Sequence, residues 1–302
     1  MKSFRRPYYL DEHGKKIKLA RRTKRLNRST GGTVVLFFFM ALLAIFMGMP
    51  LVLTVSNALK PLDELFYFPP RFFVRNPTLS NFGDLFVLMQ ESWIPFSRYI
   101  VNTLILTVFG TAGHLLCASA AAYPLAKDDI PGKNWIFAVV VLSLMFAGTV
   151  TAIPNFIIIS ALGINNTYWA IILPAFSASL GLYLMKQFME QIPDSLIESA
   201  RIDGASEYKI YWKIVMPNVK PAWITLIIFA FTAAWQITGF SYIFNEALKP
   251  LPTVLEQIRL SGIARMGVGA AASVFIMTPP MLMFIFCQSN VIETMAHSGL
   301  KE

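Results

Sequence analysis

Between Asn134 and Met185 the chain carries no Asp, Glu, Lys or Arg. A soluble fold rarely buries so long an uncharged stretch whole, whereas a helix crossing hydrocarbon needs about 20 such residues and satisfies its own backbone groups. The stretch is too long for one crossing. Gly163, Asn165, Asn166 and Thr167 give it turn chemistry, which divides it into spans of roughly 135–162 and 168–185. Four further charge-free runs lie from Thr33 to about Val55, between Arg98 and Lys127, between Lys220 and Glu246, and between Arg265 and Glu293. Six spans are therefore expected, with both termini on one side. Composition agrees, since 55% of the 302 residues are hydrophobic and 14% charged, a balance unsuited to a water-facing surface.

Lysine and arginine give the orientation. With the N-terminus inside, nineteen of the 26 basic residues fall on the cytoplasmic side and seven outside, as the positive-inside rule requires. The expected organisation is a basic cytoplasmic tail (1–32), one six-helix membrane domain (33–292) with a polar inner loop at about 190–218, and a short cytoplasmic tail (293–302). The cluster Lys15–Arg28 lies just before a span, where anionic lipid headgroups attract such charge, so the tail is read as topogenic, with no nucleic-acid partner. The first apolar run is long enough to span and follows a long leading region, unlike a cleavable signal. Cys117 and Cys287 fall inside apolar spans with neither disulfide nor metal spacing, and are read as packing residues.

Two outer segments are placed to meet a partner. Residues 56–97 are rich in proline and aromatics and are expected on the membrane surface; Glu246–Arg265 carries Lys249-Pro250-Leu251-Pro252 and a helical stretch around Val254–Leu260. None of the six spans contains an ionised side chain, which argues against proton-coupled carriage, although a sodium site of carbonyls and hydroxyls would escape that test. His114 is the only histidine in a span. A catalytic use would need a nucleophile and an orienting partner that the sequence does not announce. No glycine-rich phosphate loop is present in the sequence, so the chain is not expected to hydrolyse ATP, nor to bind a cofactor or metal.

The inner loop reads as two capped helices. Asp194 or Ser195 can cap the first, with Ser195 and Glu198 in capping-box register, and Gly204 can stop it. Ser206 caps the second, Pro217 lies beyond its end, and Tyr208, Tyr211, Trp212 and Val215 recur on one apolar face. Such a knob suits insertion into a groove on a cytoplasmic partner.

Glu198-Ser199-Ala200, then Asp203-Gly204-Ala205, then Ile214 and Pro217 resemble, at every spacing, the EAA loop of the permease subunits of binding-protein-dependent ABC importers. That pattern is E-A-A, two residues, D-G-A, eight residues, I-x-L-P. Ser199 and Met216 depart from it while keeping small size and apolar character. The resemblance implies an all-α, type I ABC importer permease fold, a polytopic protein with six transmembrane helices whose two-helix coupling loop docks in a cleft of the ATP-hydrolysing subunit. Glu198, Ser199, Ala200, Asp203, Gly204, Ala205, Ile214 and Pro217 would carry that coupling. It further implies a second homologous permease, two ATPase subunits that hold ATP and Mg, an extracellular solute-binding protein, and residence in a bacterial or archaeal cell membrane.

The Pro-rich outer loop, Trp235, Leu251-Pro252-Thr253 and the short tail resemble the carbohydrate-uptake branch that includes the maltose transporter, although Trp235-Gln236 replaces the more usual Trp-Asn. The tail Glu293–Glu302 resembles those of oligosaccharide and uronate-oligosaccharide permeases. In some sugar importers the tail also reaches the ATPase, which would involve Ser298 and Gly299. Sugars bind through neutral polar groups and aromatic faces, so Asn155, Tyr183, Trp235, Gln236 and Asn245 are candidates for the path; interhelical hydrogen bonding explains them as well. The rival readings are a secondary carrier or channel working without an ATPase, and an intramembrane enzyme using His114.

Overall fold

The computed structural model describes residues 8–10, 16–18, 30–90, 93–146, 148–237, 242–260, 262 and 265–298, with backbone only in the first two stretches, at Thr30 and from Ser289 onward. Tyr8–Leu10 (β1) and Lys16–Lys18 (β2) pair as a short antiparallel ribbon. The other regular elements are helical. They run α1 Thr30–Leu59, α2 Leu62–Leu65, α3 Ser80–Gln90, α4 Phe96–Lys127, α5 Lys133–Ser143, α6 Gly148–Ala161, α7 Trp169–Phe176 and α8 Ser179–Glu190. After these come α9 Asp194–Ile202, α10 Glu207–Ile210, a π turn Tyr211–Val215, α11 Met216–Asn218, α12 Lys220–Trp235, α13 Leu251–Arg259 and α14 Met266–Ser298. The chain divides into two compact units, 1–52 and 53–302, and α1 crosses the boundary.

Among the described residues, four helices are long and apolar enough to cross a membrane, or up to six if two bent pairs each count as one span. The stretch expected as a single third span is broken into α5 and α6, which meet at 109°. The expected turn after it is present: Gly163 and Asn166 adopt positive φ (68° and 62°), and the Asn166 Oδ1 accepts from Phe244 N and Asn245 N at 3.1 and 2.8 Å. The short helix expected around Val254–Leu260 is α13. Helix α1 outlasts its expected end near Val55 by a turn, because Ser56–Leu59 continue it and Leu59 O is then capped by Thr78 N at 2.9 Å.

Exposed side chains from Val34 to Leu53 make α1 apolar on its outside, the opposite of a helix in water. Cys117 is exposed on α4, near Leu116, rather than packed as expected; Cys287 is half-buried. Helix α4 is the hub of the second unit, packed against α7, α8 and α12, while α12 and α13 pack on α14. Gly113 and Gly181 permit this closeness, since a Cβ there would lie 1.9 Å from the Phe176 ring and 2.3 Å from His114 Nε2. One core gathers the end of α4 (Ala118, Ala122, Tyr123), Met185 and Met189 of α8, and Ile197, Ala200, Ile210 and Val215 of the turn that follows. A second core joins Ala58, Leu85, Met89 and Tyr99 to Leu251, Leu255 and Ala271.

Candidate functional site: the turn between α8 and α12

Helix α9 starts without a side-chain cap. Its N-cap is Pro193, whose ψ of 132° is extended and whose ring fixes φ at −60°. The expected Ser195–Glu198 capping box is therefore not formed: Asp194 already lies in the first turn, Ser195 O accepts from Ser199 Oγ at 2.7 Å, and Asp194 turns to Lys127. The stop is as the sequence indicates. Gly204 takes φ 74°, Ala205 N reaches Ala200 O at 3.0 Å and Gly204 N reaches Arg201 O at 3.0 Å, the paired bonds of a Schellman ending.

Ser206 caps the second helix by accepting from Lys209 N at 3.4 Å. Pro217 does not lie beyond this helix, as expected, but inside a continuous helical run from Glu207 to Asn218. The run widens to a π turn just before it, where Met216 N reaches back to Tyr211 O. A ladder already shifted by one residue is the setting that tolerates a proline lacking its own N–H. The expected apolar face also divides. Ile210 and Val215 are buried, whereas Tyr208 is 76% exposed and Trp212 39%, their rings meeting edge to face.

The turn is fastened to the end of α4 by side chains four residues apart on that helix. Ser119 Oγ lies 2.6 Å from Tyr211 Oη, and Tyr123 Oη donates to Glu207 Oε2 at 2.7 Å. Lys127, with 3% of its side chain exposed, bonds Ile192 O and pairs with Asp194 at 2.7 Å. Arg201 adds a bridge, 2.6 Å from Glu207 and 3.3 Å from Asp128. The Arg201 guanidinium, first, and the Tyr123 hydroxyl, second, hold the Glu207 carboxyl below its usual range; Glu207 in turn raises Arg201.

The motif residues sort by direction. Ala200 is buried, Ala205 and Ile214 are half-buried against the core, and Glu198, Ser199, Asp203, Gly204 and Pro217 are exposed. Ile202, 86% exposed, stands among the exposed ones. Small side chains let the turn sit close to α4 and α8, while a mixed acidic and apolar surface remains uncovered. Ser119, Tyr123, Lys127, Arg201 and Glu207 were missed by motif reading; the only trace of them is the four-residue polar spacing 119, 123, 127 closing an apolar span.

The path candidates do not converge on one surface. Trp235 is buried, stacks on Phe231 and donates through Nε1 to Ile276 O at 3.0 Å. Tyr183 stacks on Phe137, Asn155 is half-buried on α6, and Asn245 caps a 3-10 turn by accepting from Ala247 N at 3.0 Å. Gln236 is exposed on an open groove of about 710 Å3 between α8, α12 and α14, beside Leu180, Thr232 and Phe284. His114, 4% exposed, borders a mostly apolar cavity of about 180 Å3 between α4, α7, α8 and α12, its Nδ1 3.5 Å from Phe176 O. Ser298 ends α14, and Gly299 lies outside the described residues.

Residues 30–293 match the family of binding-protein-dependent transport system inner membrane components. Protein LplC of Bacillus subtilis (strain 168) is 36% identical over 55% of this chain, a stretch that spans only 56% of LplC. The polygalacturonan/rhamnogalacturonan transport system permease protein YtcP of the same organism is 29% identical over 74% of this chain and 77% of its own. Among solved structures, a bacterial ABC transporter that imports the acidic polysaccharide alginate has a chain of the same fold, with a TM-score of 0.74 at 20% identity, covering 88% of this chain and 99% of that one. The alginate transporter bound to a periplasmic protein carrying alginate pentasaccharide matches with a TM-score of 0.54 at 18% identity, covering 84% and 91%.

Proposed function

The chain belongs to the binding-protein-dependent transport system inner membrane components, and from that premise we propose that it forms half of the translocation path of an ATP-driven importer of oligosaccharides. The path is completed by a second, homologous permease, filled by an extracellular solute-binding protein and driven by two ATPase subunits that hold ATP and Mg. The chain binds and gates, and makes no covalent bond. The distribution of lysine and arginine supports an orientation with both termini cytoplasmic, in which the turn Asp194–Asn218 lies inside the cell with the ATPase subunits. The names of YtcP and of the alginate importer support the choice of oligosaccharide.

One observation carries the coupling role. The turn is locked to α4 from behind by Lys127, Tyr123 and Ser119, yet leaves Glu198, Ile202, Asp203 and Tyr208 uncovered on the other side. A surface held rigid but unsatisfied is what a groove on a partner can take up without paying to order it. Motion of that groove on nucleotide binding would then be delivered to α4, α8 and α12 together, because all three contribute to the core under the turn.

The test is Glu198→Arg in the assembled complex. Glu198 is exposed and its carboxylate is not part of the lock on α4, so insertion and assembly with the second permease should be unchanged, while ATP-dependent uptake falls to background and the ATPase subunits co-purify poorly. Full uptake in the variant, or in membranes lacking any ATPase subunit, would sink the coupling assignment.

A further inference from the structure

Helix α4 is the only element among the described residues that is hydrogen-bonded through buried side chains to both functional ends. At one end are Ser119, Tyr123 and Lys127 on the turn. At the other end the bonds are of the same kind. Asn102, fully buried, donates its amide to Ala247 O and to Lys249 O, both at 2.9 Å, and accepts from Tyr168 Oη at 2.6 Å. Thr103, 1% exposed, accepts Leu251 N at 2.7 Å, and Tyr99 Oη reaches Glu246 at 3.3 Å. The segment Glu246–Leu251 thus hangs on α4 through its own backbone.

Nothing interrupts the rod between these points. Helix α4 runs unbroken from Phe96 to Lys127, with its only proline, Pro124, in the last turn, past both Thr103 and Tyr123. Twenty residues of helix separate those two side chains, about 30 Å at 1.5 Å per residue, the thickness of the hydrocarbon core. The bonds at each end are directional, and those of Asn102 and Thr103, both closed off from solvent, have no water to substitute for a lost partner. A helix tied in this way transmits tilt and translation from end to end more readily than packed apolar contacts, which can slide.

We propose that α4 is a strut that keeps the outer segment Glu246–Leu251 in register with the inner turn, so that Thr103 and Asn102 outside and Tyr123 inside act as positioning residues for one movement. This rests on the orientation and coupling role proposed above. Neither Thr103 nor Tyr123 need touch sugar or ATPase. They determine whether what happens at the turn is felt at the segment that faces the solute-binding protein.

The experiment uses the full complex with its partner permease and ATPase subunits in lipid nanodiscs, with both native cysteines changed to serine and Phe244→Cys as the reporter. Phe244 is 64% exposed and adjoins the outer segment. The rate of its labelling by a membrane-impermeant maleimide is measured without nucleotide and with ATP, Mg and vanadate. The parent should change its rate at least threefold on nucleotide. Thr103→Val and Tyr123→Phe, which each remove one hydroxyl, should each reduce that response by half or more, Thr103→Ser should keep it, and the double variant should respond no less than the worse single. Sites so far apart and unconnected would instead multiply their losses. Multiplied losses, unaltered single variants, or a parent that hydrolyses ATP with no change at Phe244 would each overturn the strut. A complex that assembles but hydrolyses no ATP fails earlier, against the proposed function itself.

Discussion

In the orientation proposed above, the inner turn Asp194–Asn218 and the outer loop Lys60–Asn81 are each fastened by a lysine with a buried side chain, but they differ in what they leave free. Lys127 binds Ile192 O and Asp194; Lys60, 3% exposed, binds Asn57 Oδ1 at 2.8 Å and Arg71 O at 2.5 Å. Beyond that, the outer loop turns its polar side chains on its own backbone. Buried Glu64 accepts Arg75 N at 2.8 Å and Asn76 N at 3.4 Å, Asn81 donates to Ala58 O and Lys60 O at 2.9 and 2.7 Å, and Ser56 Oγ donates to Phe72 O at 2.8 Å. The inner turn instead closes its backbone with a glycine stop and keeps Glu198 and Asp203 outward. A self-satisfied loop keeps a shape; a turn with unsatisfied charge presents a docking surface.

The sharpest way to break this comparison is Gly204→Ala. No atom lies within 4 Å of a Cβ built there, so the whole effect is backbone strain at φ 74°. That strain is about 1–2 kcal/mol, enough to weaken docking roughly tenfold if the Schellman ending must be kept, and more if the turn unwinds. Uptake should collapse while the protein stays inserted. Gly83 in α3, on the outer side, is equally open but at no positive φ, and Gly83→Ala should leave uptake intact. Equal losses from the two would mean that the inner turn is not special.

Next in size are the two lysines. Lys127→Met leaves Ile192 O without its donor, and returns Asp194, already 76% exposed, to solvent, for a loss of about 1–3 kcal/mol. Lys60→Met should cost a similar amount, through Arg71 O and Asn57. The melting temperature of the solubilised chain should fall in both, but only Lys127→Met should also lower ATPase activity supported by the complex. If Lys60→Met uncouples as strongly, the outer loop is part of the drive and the contrast fails.

The turn was legible because its motif is a set of residue types at fixed spacing, and the spacing from Glu198 to Pro217 survives whatever helix carries it. Its caps were less so. Ser195 and Glu198 fit a capping box on paper, but Pro193 sets the helix two residues earlier, and a local hydrogen bond loses to a rotation already fixed by a ring. At Pro217 the sequence predicts an end because a proline usually is one; the π turn at Tyr211–Val215 is a longer-range adjustment that no single residue marks. Four spans legible from charge alone are helices long and apolar enough to cross a membrane among the described residues, while the bends in the other two were not legible; at the break between α5 and α6, for one, both halves are apolar. The locks at Tyr123, Lys127, Lys60 and Asn102 were invisible for a plainer reason: each depends on a partner between 11 and 147 residues away. A smaller test falls on the outer side, where Glu64→Gln can keep one acceptor oxygen for Arg75 N but sets an NH2 donor, in place of the second oxygen, against Asn76 N, whose bond at 3.4 Å is the weaker. The cost is about 0.5–1.5 kcal/mol, seen as faster trypsin cleavage at Arg71 and Arg75 with uptake retained.

The smallest effect expected is the pH dependence of the inner lock. Glu207 is held below its ordinary value of 4.5, chiefly by the Arg201 guanidinium and then by the Tyr123 hydroxyl, so the folded protein binds that proton less readily than the unfolded chain. The stabilisation is therefore fully present above about pH 4.5 and is lost as pH falls through the depressed folded value. Glu207 is largely exposed, so solvent screens much of the interaction and the shift in melting temperature should be slight. Glu207→Gln should flatten the acid limb of the stability profile and leave the neutral-pH melting temperature a little lower. A parent and variant with parallel profiles between pH 5 and 3 would show that Tyr123 and Arg201 hold the turn by geometry alone, which would make the inner end of α4 more like the outer loop than the comparison allows.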